Sequence, residues 1–202
     1  MIIGMKLFYH LRTKTMSAIP TEALHVILYF TKSLEKLGIE LSETKLYKLL
    51  RFTSLEFADT WWSVFLEDIF VKKQYGPVPI RICNYINDIK NNDSLESKFI
   101  EVQSEEKQGY TTVYVQNTIV ARRDPDTNFL TESMIQAMDT IIQKYANRTA
   151  KTLSDLSHGW KARNAAKDEE MIDISLDMNN EKYKELVREQ QENMLYFMDL
   201  AS

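Results

Sequence analysis

Ser42-Glu43-Thr44-Lys45-Leu46-Tyr47-Lys48-Leu49-Leu50-Arg51-Phe52-Thr53 is the stretch on which the fold turns. Ser42 is a good N-cap and Glu43 sits favourably in a first turn. Leu46, Leu49, Leu50, Thr53 and Phe57 then recur at helical i, i+3, i+4 spacing. Phe52, Trp61, Trp62, Phe65 and Leu66 carry apolar character onto the other sides. A helix that is hydrophobic nearly all round is central to its domain, so the reading is a mainly helical protein packed about this segment.

Working outward, a preceding helix is expected from about Thr21, its cap, to Leu37, with Leu24, Ile27, Leu28, Leu34 and Leu37 as its stripe and Gly38 as its stop. Downstream, Tyr75-Gly76-Pro77-Val78-Pro79 excludes helix until Pro79, which suits a first helical position. Ile82, Tyr85, Ile86 and Ile89 continue at helical spacing to about Asn91, and Asn91–Ser94 are turn formers. Residues 98–122 change period. Phe99–Val102, Tyr110–Val115 and Ile119–Arg123 read as short strands, with turns at Gln108-Gly109 and Gln116-Asn117. Thr131 caps a helix to about Asn147, and Thr152-x-x-Asp155 resembles a capping box opening a short one. Residues 161–180 read as polar, with Asp168-Glu169-Glu170 as a solvated acidic run. The chain closes on a helix-favouring segment ending Met194-Leu195-Tyr196-Phe197-Met198-Asp199-Leu200.

The expected fold class is α+β: one helical domain with a small antiparallel sheet, a hairpin or three-stranded meander, inserted before the last two core helices. The expected division is an N-terminal arm at 1–19, a domain at 20–165 and a C-terminal extension at 166–202.

Composition narrows the function classes. The 202 residues are 44% hydrophobic and 27% charged, as in an ordinary globular chain. Five Gly and no Gly-rich loop leave little for phosphate cradling. The net charge of -4 gives no global basic field, so nucleic acid is disfavoured. A single cysteine, Cys83, forbids an intramolecular disulfide and a cysteine zinc cluster. No run of about 18 apolar residues is present and the N-terminus is a poor signal peptide, so the expected location is the cytoplasm, away from membranes.

Chemistry is sparse. Cys83 with His158 is the one nucleophile pairing on offer, but Cys83 sits among core-type residues in Ile80–Ile86 and reads as a small buried hydrophobe. His10, His25 and His158 fit no local metal spacing. No catalytic residue, metal or cofactor is expected. The apolar C-terminus has two readings, a last helix packing on the parent core or an adhesive segment for a partner.

Three segments in order resemble the Panacea domain, the antitoxin family that includes the SocA-type proteolytic adaptor. They are Lys45-Leu46-Tyr47-Lys48-Leu49-Leu50-Arg51-Phe52, similar to the family's Lys-Leu-Leu-Tyr-Phe helix; Tyr75-Gly76-Pro77-Val78-Pro79 before an amphipathic helix; and Phe129-Leu130-Thr131-Glu132 through Tyr145, then Thr152–His158 and Trp160. Arg51 stands where the family motif usually carries Tyr, and Lys72-Lys73 where an Ala-Trp pair is frequent. The resemblance implies a mainly helical domain that neutralises a cognate protein toxin by direct contact. The alternative it implies is delivery of the toxin to an ATP-dependent protease; an enzyme using Cys83 or His158 ranks third. It carries over no catalytic residue. Lys45, Leu49, Leu50, Tyr75, Gly76, Pro77, Val78, Pro79, His158 and Trp160 are expected to be structural or partner-binding. Exposed aromatics and arginines at Phe8, Tyr9, Arg122, Arg123, Tyr196, Phe197 and Met198 are the candidate toxin contacts, and a homo-oligomer stays open.

Overall fold

A computed structural model describes residues 19–91, 98–109 and 112–200. Phe8 and Tyr9, the turn at 92–94 and Tyr110 lie outside the described residues. The order is α1 (Thr21–Lys36), β1 (Leu41–Ser42), α2 (Glu43–Trp61), β2 (Phe70–Lys73), β3 (Gly76–Pro79), α3 (Ile80–Asn91), β4 (Ile100–Gln108), β5 (Val113–Ala121), α4 (Glu132–Tyr145), α5 (Ala150–His158), α6 (Lys161–Ala165) and α7 (Lys184–Leu200). The protein is mainly helical with two small antiparallel sheets, ordered β1-β5-β4 and β2-β3.

The central helix is as the sequence implies. The Ser42 hydroxyl accepts the Lys45 N–H, and Leu46, Leu49, Leu50, Thr53 and Phe57 are buried. Trp62 ends the helix in the left-handed region at φ 57. In α1 the cap position is held by Pro20, without a side-chain bond; Thr21 is already helical and Leu37 is solvent-exposed past the last turn. Gly38 turns the chain at φ +70 as expected.

Three local readings need correction. Pro79 does not open α3; it closes β3, and β2–β3 is a hairpin that the proline signal concealed. Ile80 N–H bonds Ile69 O, so by antiparallel alternation Gly76 and Val78 face β2 while Pro77 and Pro79 turn their N–H-less nitrogens away. Gln116-Asn117 is not a turn. β5 runs through it, because the Asn117 amide donates to Glu43 Oε2 at 2.6 Å and its carbonyl accepts from Ser104 Oγ at 2.9 Å. The sheet is therefore one long hairpin whose third strand is β1, from before α2, with Leu41 opposite Ile119. Finally, Thr149 rather than Thr152 caps α5, and Asp155 pairs with Lys151 in place of completing a capping box. Thr131 caps α4 as expected.

The 161–180 segment, polar by composition, reaches the core. Ala162, Ile172, Ile174 and Met178 join the same hydrophobic cluster as α1, α2 and α4. The backbone of 169–172 runs along the free edge of β2, with Lys72 N–H bonding Glu170 O and Ile172 N–H bonding Phe70 O at 2.7 Å. α7 follows, anchored by Val187 and by Gln191, whose carbonyl oxygen accepts the Ile174 N–H at 2.9 Å.

Candidate functional site

One face of α2 carries Lys45, Lys48 and Arg51 at spacings of three, and all three are buried. Cations this deep need partners. Lys45 Nζ donates to Ala146 O at 2.6 Å, closing the C-terminal end of α4. Lys48 Nζ donates to Pro77 O at 3.3 Å, using the carbonyl that the β3 alternation points outward. Arg51 Nη2 meets Asp177 Oδ2 at 2.6 Å, and its guanidinium lies over the Trp160 ring at 4.5 Å. Burial pushes the Lys48 ammonium down to about 7, and the Arg163 charge adds to the effect. Burial likewise lowers Lys45, and lowers Arg51 against the opposing pull of Asp177.

Gly76 explains its own identity here. Its φ is +103, and a Cβ at this position would stand 2.5 Å from Lys48 Nζ and 3.4 Å from Ser157 Oγ. The second and third sequence motifs therefore meet on the first: Pro77 receives Lys48, Gly76 abuts Ser157, and Phe52 stacks on Tyr145 at 4.6 Å and meets the Trp160 edge at 4.7 Å. Leu49 and Leu50 face the core beside them, Val78 is half-buried, and Pro77 and Pro79 are buried. What this joint shows to solvent is Tyr75, 71% exposed, with Leu156 and His158 on α5. The His158 imidazole is held below its usual range by burial, then by the charges of Arg163 and Lys48.

A family model for the SocA-like antitoxin, Panacea domain, matches residues 46–161. The chain belongs to this family. No curated protein and no solved structure matches it. The Panacea domain brings an antitoxin role and, with it, a toxin as partner. Both departures from the Panacea motifs are answered by residues beyond the matched span. Arg51 is neutralised by Asp177; Lys72 bonds Ala166 O at 2.9 Å and pairs with Asp168, and Lys73 pairs with Glu169. The acidic run that reads as a solvated surface is in part a set of counter-ions.

The remaining candidates fall apart in space. Cys83 is half-buried on α3 beside Asn87 and Tyr47, and burial raises its thiol pKa; the charges that act on it are Glu43, Lys90 and Lys73, whereas those that act on His158 are Arg163, Lys48, Asp155 and Lys151. His25 is buried, accepts the Asp126 N–H at 2.9 Å and stacks on Phe129. Arg122 pairs with Glu101 at 3.0 Å, and Arg123 lies over Phe99 at 4.3 Å. Tyr196 and Phe197 project from α7 at 62% and 65% exposure, with Met198 half-buried next to them. Among the described residues, no group of three or more His, Cys, Asp or Glu is placed to hold a metal, and no helix is long and apolar enough to cross a membrane. Sequence reasoning missed Asp177 and Arg163, since nothing in a polar linker marks which charge turns inward. It also missed the exposed Val113-Tyr114-Val115, whose β-forming character reads equally well as buried strand.

Proposed function

We propose that this Panacea protein neutralises its cognate toxin by direct contact, masking the toxin's active surface and performing no chemistry on it. The observation that carries this reading is the free end of α7. Tyr196 and Phe197 stand in solvent with their rings 5.8 Å apart, on a helix anchored through Val187 and Gln191. Large apolar groups held in water on a rigid support mark a contact surface, and aromatic anchors carry most of the energy of such interfaces. Met198 beside them adapts to a partner's shape. A tight complex would bury on the order of 1,600 Å² in total, and Tyr75 and the Arg122–Arg123 pair are the further candidate contacts.

The test is co-expression with the toxin encoded beside this gene. The wild-type chain restores growth and co-purifies with the toxin. A Tyr196→Ala, Phe197→Ala double variant loses both while keeping its melting temperature, whereas Cys83→Ala and His158→Ala keep rescue. In a host lacking ATP-dependent proteases, masking still protects; protection that vanishes there, with toxin turnover, would replace masking by delivery to a protease. Full rescue and co-purification by the α7 double variant would remove α7 from the interface.

A further inference from the structure

The β4–β5 hairpin outreaches the body that supports it. Near its base Ile100, Ile119 and Ala121 are buried, but Val113, Tyr114 and Val115 are 58%, 51% and 60% exposed. β1 covers the outer edge of β5 only at Thr118 and Ile119, so among the described residues no strand lies along Val113–Asn117. The Gly109 N–H bonds Thr112 O, which places the peptide groups of even-numbered β5 residues toward β4 and those of Val113, Val115 and Asn117 outward. The opposite edge is different. β4 carries Glu101, Glu105, Glu106 and Lys107, the charged side chains that keep an edge strand from pairing, whereas no charged residue occurs anywhere in Val113–Ala121.

We propose that two copies of this chain associate through these edges, β5 against β5, antiparallel about a two-fold axis at Val115. The neutrality of the strand selects this occupant. Each copy carries a net charge of -4, and pairing through β4 about an axis at Glu106, or between Glu105 and Glu106, would set these carboxylates against one another. β5 carries no charge, so it can meet itself in any register without like charges opposite. The alternation is also self-complementary: the outward peptide of Val115 faces that of Val115 in the other copy, and Val113 faces Asn117. The result is a four-stranded β4-β5-β5-β4 sheet in which the acid-rich strands lie outside. β1 limits the contact to the five-residue span 113–117, so a concentration-dependent dimer is expected rather than an obligate one.

Sedimentation velocity on the purified full chain tests this without any toxin, so its failure and that of the masking proposal are separable. The wild-type mass should rise from the 23.7 kDa of one chain toward twice that value with concentration. Val115→Asp and Val115→Lys each place like charges across the axis and should stay at one chain mass. Mixing the two variants should restore the dimer, because opposite charges then face each other. A chain monomeric at every concentration overturns the proposal, including where residues 1–18 or another protein cover the strand instead. A dimer that persists in both single variants, or a mixture that stays monomeric while each variant melts as the wild type, overturns it too.

Discussion

Arg51 and Asp177 are 126 positions apart in sequence and 2.6 Å apart in space, with side chains 0% and 4% exposed. Asp177 serves two masters, since its other oxygen accepts the Ala162 N–H at 3.0 Å at the start of α6. The pair thus fastens the segment after residue 165 to the middle of α2. Trp160 covers the guanidinium, whose Nε and Nη1 have no hydrogen-bond partner among the described residues, so this buried cation leans chiefly on the Asp177 carboxylate, with Asp173 adding to it.

Removing one partner should therefore cost far more than replacing both. Asp177→Ala leaves a buried, uncompensated guanidinium and is expected to lower unfolding stability by ~3–5 kcal/mol, while the double variant Arg51→Met, Asp177→Leu, which removes both charges, costs markedly less. Urea denaturation of both variants reads the asymmetry; equal losses would show that the ion pair is not what holds this corner.

Gly76→Ala meets two obstacles, a φ of +103 and the Lys48 ammonium. The expected loss is ~1–3 kcal/mol, from backbone strain that no side-chain movement relieves. Adding Lys48→Ala should restore only the steric part of that loss, and chemical denaturation of the double-mutant cycle separates the two. A Gly76→Ala chain as stable as wild type contradicts the account.

Lys48 sets a pH dependence whose sign follows from proton counting. Its folded value is about 7 and its ordinary value 10.5, so across that window the unfolded chain binds more protons and this residue makes stability rise with pH. Below about 7 the ammonium is charged in both states and the slope ends. Lys48→Met should flatten the rise, measured as urea midpoints at several pH values through the window. A slope that survives the substitution belongs to another group.

Asp68 acts with the opposite sign on the acid side. Its carboxylate sits at the start of α3, accepting the Arg81 and Ile82 N–H groups at 2.9 and 3.0 Å. Burial nonetheless pushes its pKa up from 3.8 to about 6, outweighing those bonds. Between the two values the folded state holds the extra proton, so this group makes stability fall as pH rises through that range. Asp68→Asn should remove the fall, while losing part of the helix cap; melting temperatures at intervals from pH 4 to pH 7 show whether it does.

The architecture was legible where one residue's chemistry acts on its own neighbours. Ser42 and Thr131 accept N–H groups three residues on, and the stripes of α1, α2, α3 and α4 obey their period. The errors came where a distant group outbid a local one. Pro79 looked like a helix start because nothing local reveals that β2 runs antiparallel beside it. Gln116-Asn117 looked like a turn because the Glu43 carboxylate that holds Asn117 comes from 74 residues away. The candidate contacts divide the same way: Tyr196 and Phe197 were visible as apolar residues near a chain end, but only the packing of Val187 and Gln191 separates the buried half of α7 from the free half.

By itself the sequence determined the family and the helical core, because those rest on periodicity and on motifs that survive being read one at a time. Only the tertiary structure decided that Lys45, Lys48 and Arg51 turn inward, that the 166–177 segment supplies their neighbourhood with Asp177, and that β5 keeps a neutral edge in solvent. The reason is the range of the forces involved. Capping and helical stripes act over a few residues, whereas whether a charge is buried or an edge is covered depends on which remote segment folds against it.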